Sequence, residues 1–206
     1  MVWKKGALYN RGGKGYNNIN IESGAVAVSR CGNVWKKTMK LYWKTVDPAL
    51  HAAALHDAAY ALLFEKLEAE WGITGVKIEK TPKGKPFLVG ESLPQISISH
   101  TKGLVCCAVS SQPVGVDCEY FRRVSERVMR RVCTENELRD IRQAADPDAR
   151  FLQYWTLKES ISKKRGTGLG ESFQAYEIRF EGERPLCLGY RLTAEKTDGF
   201  FIAAAE

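Results

Sequence analysis

The sequence predicts an α+β fold with two similar halves, each formed by a long helix packed on a small antiparallel sheet. Two observations support this class. Each half of the 206 residues contains one long helical pattern, and short β-favouring runs flank both patterns without alternating regularly with them. The halves are expected to meet near Gln112, which predicts one domain over 1–112 and a second over 113–206.

The clearest element of the first half is a helix. Asp47 is a candidate N-cap with Pro48 at the first helical position, and an alanine-rich stretch extends the helix to about Trp71. A turn-rich segment around Gly84 follows this helix. Strands are predicted at 24–29, 75–79, 95–99 and 104–110 from their β-favouring composition.

The second half begins with a strand at 114–120, after a short Ser-Gln-Pro turn. Thr134 and Glu137 have the spacing of a capping box, which predicts a helix from there to about Ala145. A longer helix is expected at about 149–164, ending at Gly166. Three further strands are predicted at 175–180, 186–192 and 199–203.

The net charge of +7 favours anionic partners, and leaves nucleic acid, a phosphorylated cofactor and an acidic protein open. The six cysteines show no C-x-x-C spacing, so all are expected to be reduced. No apolar stretch reaches the length of a membrane span, and the start lacks the apolar region of a signal peptide. The expected location is therefore the cytoplasm, with no membrane partner.

Two acidic residues on a predicted strand are candidate metal ligands. Asp117 and Glu119 are two positions apart, so their carboxylates point to the same face. Hard oxygen ligands without a His or Cys partner suit Mg²⁺. The alternative is an ordinary pair of exposed acids on an edge strand.

A second candidate pair lies on the longer helix. Glu159 and Lys163 are at positions i and i+4, on one face of a helix that is apolar on more than one side. A buried acid and base then need a purpose, whereas the alternative is a stabilising surface pair. His100, just past a predicted strand, suits donation to a phosphate better than a hydrolase role, since no G-x-S-x-G motif is present; a histidine without a role is the alternative.

Four motifs follow one another in the chain. They are Gly-Lys-Pro-Phe at 84–87, Ser-Ile-Ser-His-Thr at 97–101, Gly-Val-Asp-Cys-Glu at 115–119 and Trp-x-x-Lys-Glu-x-x-x-Lys at 155–163. In this order they resemble the signature motifs of the 4'-phosphopantetheinyl transferase superfamily. The resemblance is close over 84–169. The chain length resembles that of the Sfp-type members, which implies a pseudo-twofold monomer of two similar α+β halves.

The resemblance implies an enzyme that moves 4'-phosphopantetheine from coenzyme A to a serine of an apo acyl- or peptidyl-carrier protein. Asp117, Glu119 and Glu159 would hold Mg²⁺, with Asp117, Glu159 and Lys163 as the catalytic residues. Residues implied to bind the co-substrate coenzyme A are Lys85, Pro86, Ser99, His100, Lys158 and Lys163, with His100 at the 3'-phosphate. Either Glu159 or a water on the ion would accept the serine proton.

Basic residues that many Sfp-type members place before the first long helix are missing here. Only His51 and His56 are candidates in that stretch, and the lysines that could substitute are Lys36, Lys37, Lys40 and Lys44. The arginine-rich segment 122–142 is a candidate docking surface for an acidic carrier protein.

Three other interpretations remain. A coenzyme A dependent N-acyltransferase would explain Lys163 and the following glycines but would leave Asp117 and Glu119 unused. A basic nucleic-acid-binding module is supported by the net charge and the arginines, but the sequence has no zinc-finger spacing, RNP-like strand motif or helix-turn-helix signature. A family member that has lost its activity or changed its donor is the third, although the metal ligands and Lys163 are in place.

Overall fold

The computed structural model describes residues 39–168 and 172–206, and the strand predicted at 24–29 lies outside them. The first half contains β1 Lys40–Thr45, α1 Ala52–Trp71, β2 Lys77–Lys80, β3 Pro86–Val89, β4 Gln95–Thr101 and β5 Leu104–Ser110. The second half contains β6 Gly115–Tyr120, α2 Glu126–Val132, α3 Glu135–Gln143, α4 Pro147–Arg165, β7 Arg179–Glu181, β8 Arg184–Leu186, β9 Leu192–Thr197 and β10 Phe200–Ala205. The α+β class is confirmed, and the division into domains 1–112 and 113–206 stays a prediction.

Each half has a three-stranded antiparallel sheet, and a long helix packs against it. In one sheet β5 lies between β1 and β4, and in the other β10 lies between β6 and β9. Because alternate residues of a strand face opposite sides, the odd-numbered residues of β5 pack with α1 and those of β10 pack with α4. The even-numbered residues of both strands share a third apolar cluster, which therefore lies between the two sheets.

The edge strands β4 and β6 are joined where the two halves meet. Ser97 Oγ on β4 accepts a hydrogen bond from the Val116 amide on β6 at 3.0 Å. Ser99 Oγ donates to Asp117 Oδ1 at 2.7 Å. All four residues are buried. The two serines of the Ser-Ile-Ser-His-Thr motif therefore connect the halves and place one motif beside another.

The start of α1 differs from the prediction. Asp47 Oδ1 accepts a hydrogen bond from the Ala49 amide at 2.8 Å, and this local bond closes a turn instead of a helix. The helix starts at Ala52, where His51 is the N-cap and its Nδ1 accepts a hydrogen bond from the Ala54 amide at 3.3 Å. The competing turn at Asp47 explains why the helix begins later.

The helices of the second half follow the sequence signals more closely. The capping box of Thr134 and Glu137 is confirmed at the start of α3. Asp146 is the N-cap of α4 with Pro147 at its first turn, so α4 begins slightly before the predicted position, and it ends at Gly166 as predicted. The predicted strands of the tail are too few, since the structure has β7, β8, β9 and β10 there.

None of the helices in 39–168 and 172–206 has the length and apolarity to cross a bilayer. The described cysteines are all free thiols, namely Cys106, Cys107, Cys118, Cys133 and Cys187.

Gly115, the first residue of β6, lies directly against α4. A Cβ added there would be 2.0 Å from Ser160 O and 2.2 Å from Lys164 N, both backbone atoms of α4. We expect Gly115→Ala to lower the free energy of unfolding by about 3 kcal/mol, because relief requires moving the helix. Urea unfolding measures this change.

Gly182→Ala is the control for that substitution. A Cβ at Gly182 would meet nothing within 4 Å, but its φ of +61° is unfavourable for alanine, so a cost of about 1 kcal/mol is expected. Equal losses in the two variants would contradict the close packing of β6 on α4.

Candidate active site

A cleft of about 430 Å³ lies where the two halves meet. Residues of α1, the β2–β3 turn and β4 line it from the first half, and residues of β6 and the end of α4 line it from the second. All four sequence motifs contribute. The predicted site residues among its lining are Lys85, Pro86, Ser99, His100, Asp117, Glu119 and Lys163, whereas Lys158 and Glu159 are not lining residues.

The Lys163 ammonium on α4 connects β4 and β6. Its Nζ donates to Asp117 Oδ1 at 2.7 Å and to Ser99 Oγ at 2.8 Å. Burial opposes the charge on Lys163, but the adjacent Asp117 carboxylate outweighs burial and holds the pKa of Lys163 above its usual value. The Lys163 side chain is 33 % exposed. It therefore presents a stable positive charge at the wall of the cleft.

The second carboxylate oxygen of Asp117 is unsatisfied. Oδ2 is buried and has no hydrogen-bond partner, while Oδ1 accepts from both Ser99 and Lys163. A buried charged acceptor without a partner costs free energy. This oxygen is therefore suited to bind a cation.

Glu119 and Glu159 add negative charge near Asp117. Burial, followed by the Asp117 charge, raises the pKa of Glu119 above its usual value and the pKa of Glu159 to about 7. No three His, Cys, Asp or Glu side chains in residues 39–168 and 172–206 are grouped so that they could hold a metal ion. Mg²⁺ usually takes one or two carboxylates and completes its shell with phosphate oxygens and water. Asp117, whose buried Oδ2 lacks a partner, fits one carboxylate position of such a site, and Glu119 lines the same cleft.

Two histidines and a tyrosine contribute to the wall formed by the first half. His56 and Tyr60, one turn apart on α1, both line the cleft with His100. The ring centroids of His56 and His100 are 6.3 Å apart. Burial, followed by the charges of His56 and Lys163, lowers the pKa of His100. A bound phosphate would favour the protonated imidazole and oppose this effect.

The end of β2 and the β2–β3 turn contribute three lysines to the cleft. Lys80, Lys83 and Lys85 line the cleft. Lys85 Nζ also donates to Lys164 O at 2.6 Å, which joins the turn to the end of α4. Burial, followed by the Lys164 charge, lowers the pKa of Lys85. Sequence reasoning selected Lys85 and missed Lys80 and Lys83, although their positions beside Gly84 and Lys85 are a signal that could have indicated them.

The structure places the residues that could substitute for the missing basic residues at different locations. His56 lines the cleft, whereas His51 caps α1 and Lys40 forms an ion pair with Glu70 at 2.6 Å. Lys44 is not among the lining residues, and Lys36 and Lys37 lie outside the described residues.

Lys158 is buried and its ammonium is fully paired, so the prediction that it supports phosphate binding is wrong. Its Nζ pairs with Glu137 at 2.8 Å, and the two side chains are 0 % and 1 % exposed. The same ammonium donates to Phe173 O and Tyr176 O, each at 2.8 Å. Because these partners use all three N–H groups, Lys158 stabilises the packing of α4 and does not contact a ligand.

Each carboxylate oxygen of Glu119 accepts a hydrogen bond. Oε1 accepts from Trp155 Nε1 and Oε2 accepts from Arg122 Nη1, both at 3.0 Å. Sequence reasoning included Trp155 only as part of a motif. Its position one helical turn before Glu159 is the signal that could have indicated a role at the site.

Comparison with known proteins finds similarity to one family. The family model of the 4'-phosphopantetheinyl transferase superfamily matches residues 113–203. A 4'-phosphopantetheinyl transferase of Bacillus subtilis is 29% identical over 112 residues, which cover 53% of this chain and 50% of that protein. The second half of the chain is therefore similar to this superfamily.

Two further relatives have names of the same kind. The 4'-phosphopantetheinyl transferase Sfp of Bacillus subtilis (strain 168) is 32% identical over 99 residues, covering 47% of this chain and 44% of Sfp. The L-aminoadipate-semialdehyde dehydrogenase-phosphopantetheinyl transferase of Xenopus laevis is 34% identical over 138 residues, covering 57% and 43%. The chain spans about half the length of the curated relatives it matches.

Among solved structures, the holo-[acyl-carrier-protein] synthase (AcpS) of Thermotoga maritima matches with a TM-score of 0.41 and 25% identity. The match covers 45% of this chain and 61% of that one.

Proposed function

We propose that this protein transfers 4'-phosphopantetheine from coenzyme A to a serine of an apo acyl- or peptidyl-carrier protein and releases 3',5'-ADP. The observation that carries the proposal is the contact of Lys163 and Ser99 with Asp117, whose other oxygen is buried without a partner. A fixed ammonium beside an acceptor that suits a cation is what a pyrophosphate site requires, because phosphoryl transfer depends on positioning and charge neutralisation.

Asp117, Glu119 and Glu159 would hold Mg²⁺ together with oxygens of the coenzyme A pyrophosphate. When bound, the ion neutralises negative charge on the pyrophosphate and its leaving group. Ser99 orients Asp117 by donating a hydrogen bond from its hydroxyl at 2.7 Å.

In the transfer step, the serine oxygen of the carrier forms a bond to the phosphorus of phosphopantetheine. The bond from this phosphorus to the bridging oxygen breaks, and its electron pair leaves with 3',5'-ADP. Lys163 neutralises charge on the transferred group. Either Glu159 or a water on the ion would accept the serine proton.

The basic wall of the first half would bind the nucleotide. His56, Lys83, Lys85 and His100 all line the cleft, and His100 is the candidate for the 3'-phosphate. Pro86 would contact the nucleotide from the same turn. Two histidines that share a dianionic phosphate bind it more strongly when protonated.

The first test incubates the purified protein with coenzyme A, Mg²⁺ and a panel of apo carrier proteins, followed by intact-mass measurement of the carriers. A gain of one phosphopantetheinyl unit is expected, and it should be lost with excess chelator and in Glu159→Ala. Full activity in excess chelator would instead favour the acyltransferase interpretation. Failure of the folded protein to bind coenzyme A would overturn the proposal.

Helix α2 is the proposed docking surface for the carrier. Arg127, Arg130 and Arg131 are exposed on this helix, and Val128 among them is an exposed apolar residue at 40%. Arg130 also pairs with Glu126 at 2.7 Å, which holds it on the helix surface. An apolar residue surrounded by arginines is complementary to an acidic helical partner.

Replacing Arg127, Arg130 and Arg131 together by Glu is expected to raise the KM for the carrier by about 10- to 100-fold at low salt. The rate at saturating carrier and the affinity for coenzyme A should change little, because these side chains do not line the cleft. Steady-state kinetics over a range of carrier concentrations separates the two effects.

The control is a triple variant of the first half with the same change in charge. It combines Lys44→Glu, Lys77→Glu and Lys102→Glu, which replace exposed lysines. An equal rise in KM in both triple variants would show an effect of net charge and would contradict docking on α2.

We also propose that the enzyme works as a monomer in the cytoplasm without a nucleic-acid partner. The free thiols of the described cysteines suit a reducing compartment. A cleft lined by both halves of one chain gives each monomer a site of its own.

A further inference from the structure

The tryptophan of the Trp-x-x-Lys-Glu motif has no part in the chemistry described above, yet it contacts the site. Trp155 on α4 donates its indole N–H to Glu119 Oε1 on β6 at 3.0 Å. Glu119 lines the cleft, whereas Trp155 does not. Trp155 therefore contacts the proposed metal ligand without lining the cleft itself.

The indole ring is held in place by aromatic neighbours. Its centroid is 5.5 Å from that of Phe173 and 6.3 Å from that of Phe151. Phe173 is itself fixed, because its carbonyl accepts a hydrogen bond from the buried Lys158 ammonium at 2.8 Å. The direction of the Trp155 N–H is therefore set by packing before any ligand arrives.

The other donor to Glu119 is of a different kind. Arg122 pairs with Oε2 at 3.0 Å, but its side chain is 38% exposed, and ion pairs at such exposure contribute little. Arg122 also carries a positive charge that competes with a bound cation. The indole N–H is neutral, so it can orient the carboxylate and leave the full negative charge for the ion.

We infer that Trp155 is a positioning residue of the metal site, whose indole N–H orients Glu119 for a divalent cation. This inference rests on the proposed function, since Glu119 acts as a ligand only there. It gives a role to a motif residue that touches neither the cleft nor the reacting atoms.

The test is Trp155→Phe, which keeps a smaller aromatic ring between Phe151 and Phe173 and removes the N–H donor. Trp43→Phe is a matched control, because Trp43 Nε1 also donates to a glutamate of the other half, Glu195, at 2.7 Å. The readout is Mn²⁺ binding to the full chain at saturating coenzyme A. Electron paramagnetic resonance of the free ion measures this binding. Thermal unfolding and coenzyme A binding in chelator are measured on both variants.

Trp155→Phe is expected to weaken Mn²⁺ binding by about tenfold, the lower end of the range for losing a ligand's hydrogen-bond partner. Trp43→Phe should leave Mn²⁺ binding unchanged, and both variants should bind coenzyme A in chelator like the wild type. Equal Mn²⁺ binding by wild type and Trp155→Phe would overturn this inference and leave the proposed function unaffected. Parallel losses of Mn²⁺ binding and thermal stability in both variants would also overturn it, as evidence of a structural role. Absence of Mn²⁺ binding in the wild type would overturn both this inference and the proposed metal use.

Discussion

Replacing Lys158 by Met is expected to lower the free energy of unfolding by about 3–5 kcal/mol, which is the usual cost of removing one partner of a buried ion pair. The partner left behind is Glu137, which is 1% exposed. Its carboxylate also accepts hydrogen bonds from the Thr134 amide at 2.7 Å and the Ile178 amide at 2.8 Å. Without the ammonium, the carboxylate keeps these donors but loses its counter-charge in the interior. Urea unfolding at neutral pH measures the loss.

Lys164→Met on the same helix is the matched control. Lys164 is half-buried, with its ammonium 4.9 Å from the Tyr190 ring centroid, so a loss below about 1 kcal/mol is expected. Adding Glu137→Gln to Lys158→Met should recover part of the stability, because the uncompensated charge is removed. If Lys158→Met were as stable as Lys164→Met, the ion pair would not hold α3 and α4 together.

The same variant tests the corrected role of Lys158. Because its three N–H groups are directed to Glu137, Phe173 and Tyr176, the folded Lys158→Met protein should bind coenzyme A as tightly as the wild type. Calorimetry well below the unfolding midpoint measures this affinity. A large loss of affinity without unfolding would restore the interpretation that Lys158 binds phosphate.

Asp117→Asn is expected to reduce the rate of transfer by about 10²- to 10³-fold, because a metal ion contributes several kcal/mol of charge stabilisation in such reactions. The substitution preserves shape while removing the charge that Lys163 and the proposed ion share. The Asn amide also places a donor group where the structure has acceptor oxygens only. The rate of mass gain of a carrier protein, measured over a range of Mg²⁺ concentrations, provides the test.

Asp140→Asn is the control for this loss. Asp140 also accepts hydrogen bonds from a cation and a hydroxyl, Arg150 Nε at 2.6 Å and Tyr154 Oη at 2.8 Å, but it does not line the cleft. Its replacement should leave the transfer rate within about twofold, as for a substitution away from functional features. Near-normal transfer by Asp117→Asn at ordinary Mg²⁺ concentrations would contradict metal binding by this carboxylate.

The elements with strong local signals were predicted well. The capping box at Thr134 and Glu137 starts α3, and the β-favouring run Leu104–Ser110 forms β5 with the predicted bounds. The start of α1 was wrong because the turn at Asp47 competes with the helix. The short elements β1, β3 and α2 were missed, since four to seven residues carry too little periodicity.

Residue types and spacing determined the class of chemistry. Two carboxylates on alternate positions of a strand, and an acid and a base one turn apart on a helix, are properties of local geometry. They place Asp117 with Glu119, and Glu159 with Lys163, on common faces before any tertiary contact forms. The four ordered motifs then indicated the family that the comparisons support.

Only the tertiary structure decided what each of these side chains contacts. Lys158 and Lys163 are both lysines of one motif on one helix, but Lys158 points to Glu137 in the interior and Lys163 points to Asp117 at the cleft. Their partners come from α3 and β6, and sequence spacing does not encode distances between elements far apart in the chain. The orientation of Glu119 by Trp155 has the same origin, because it exists only where α4 packs on β6.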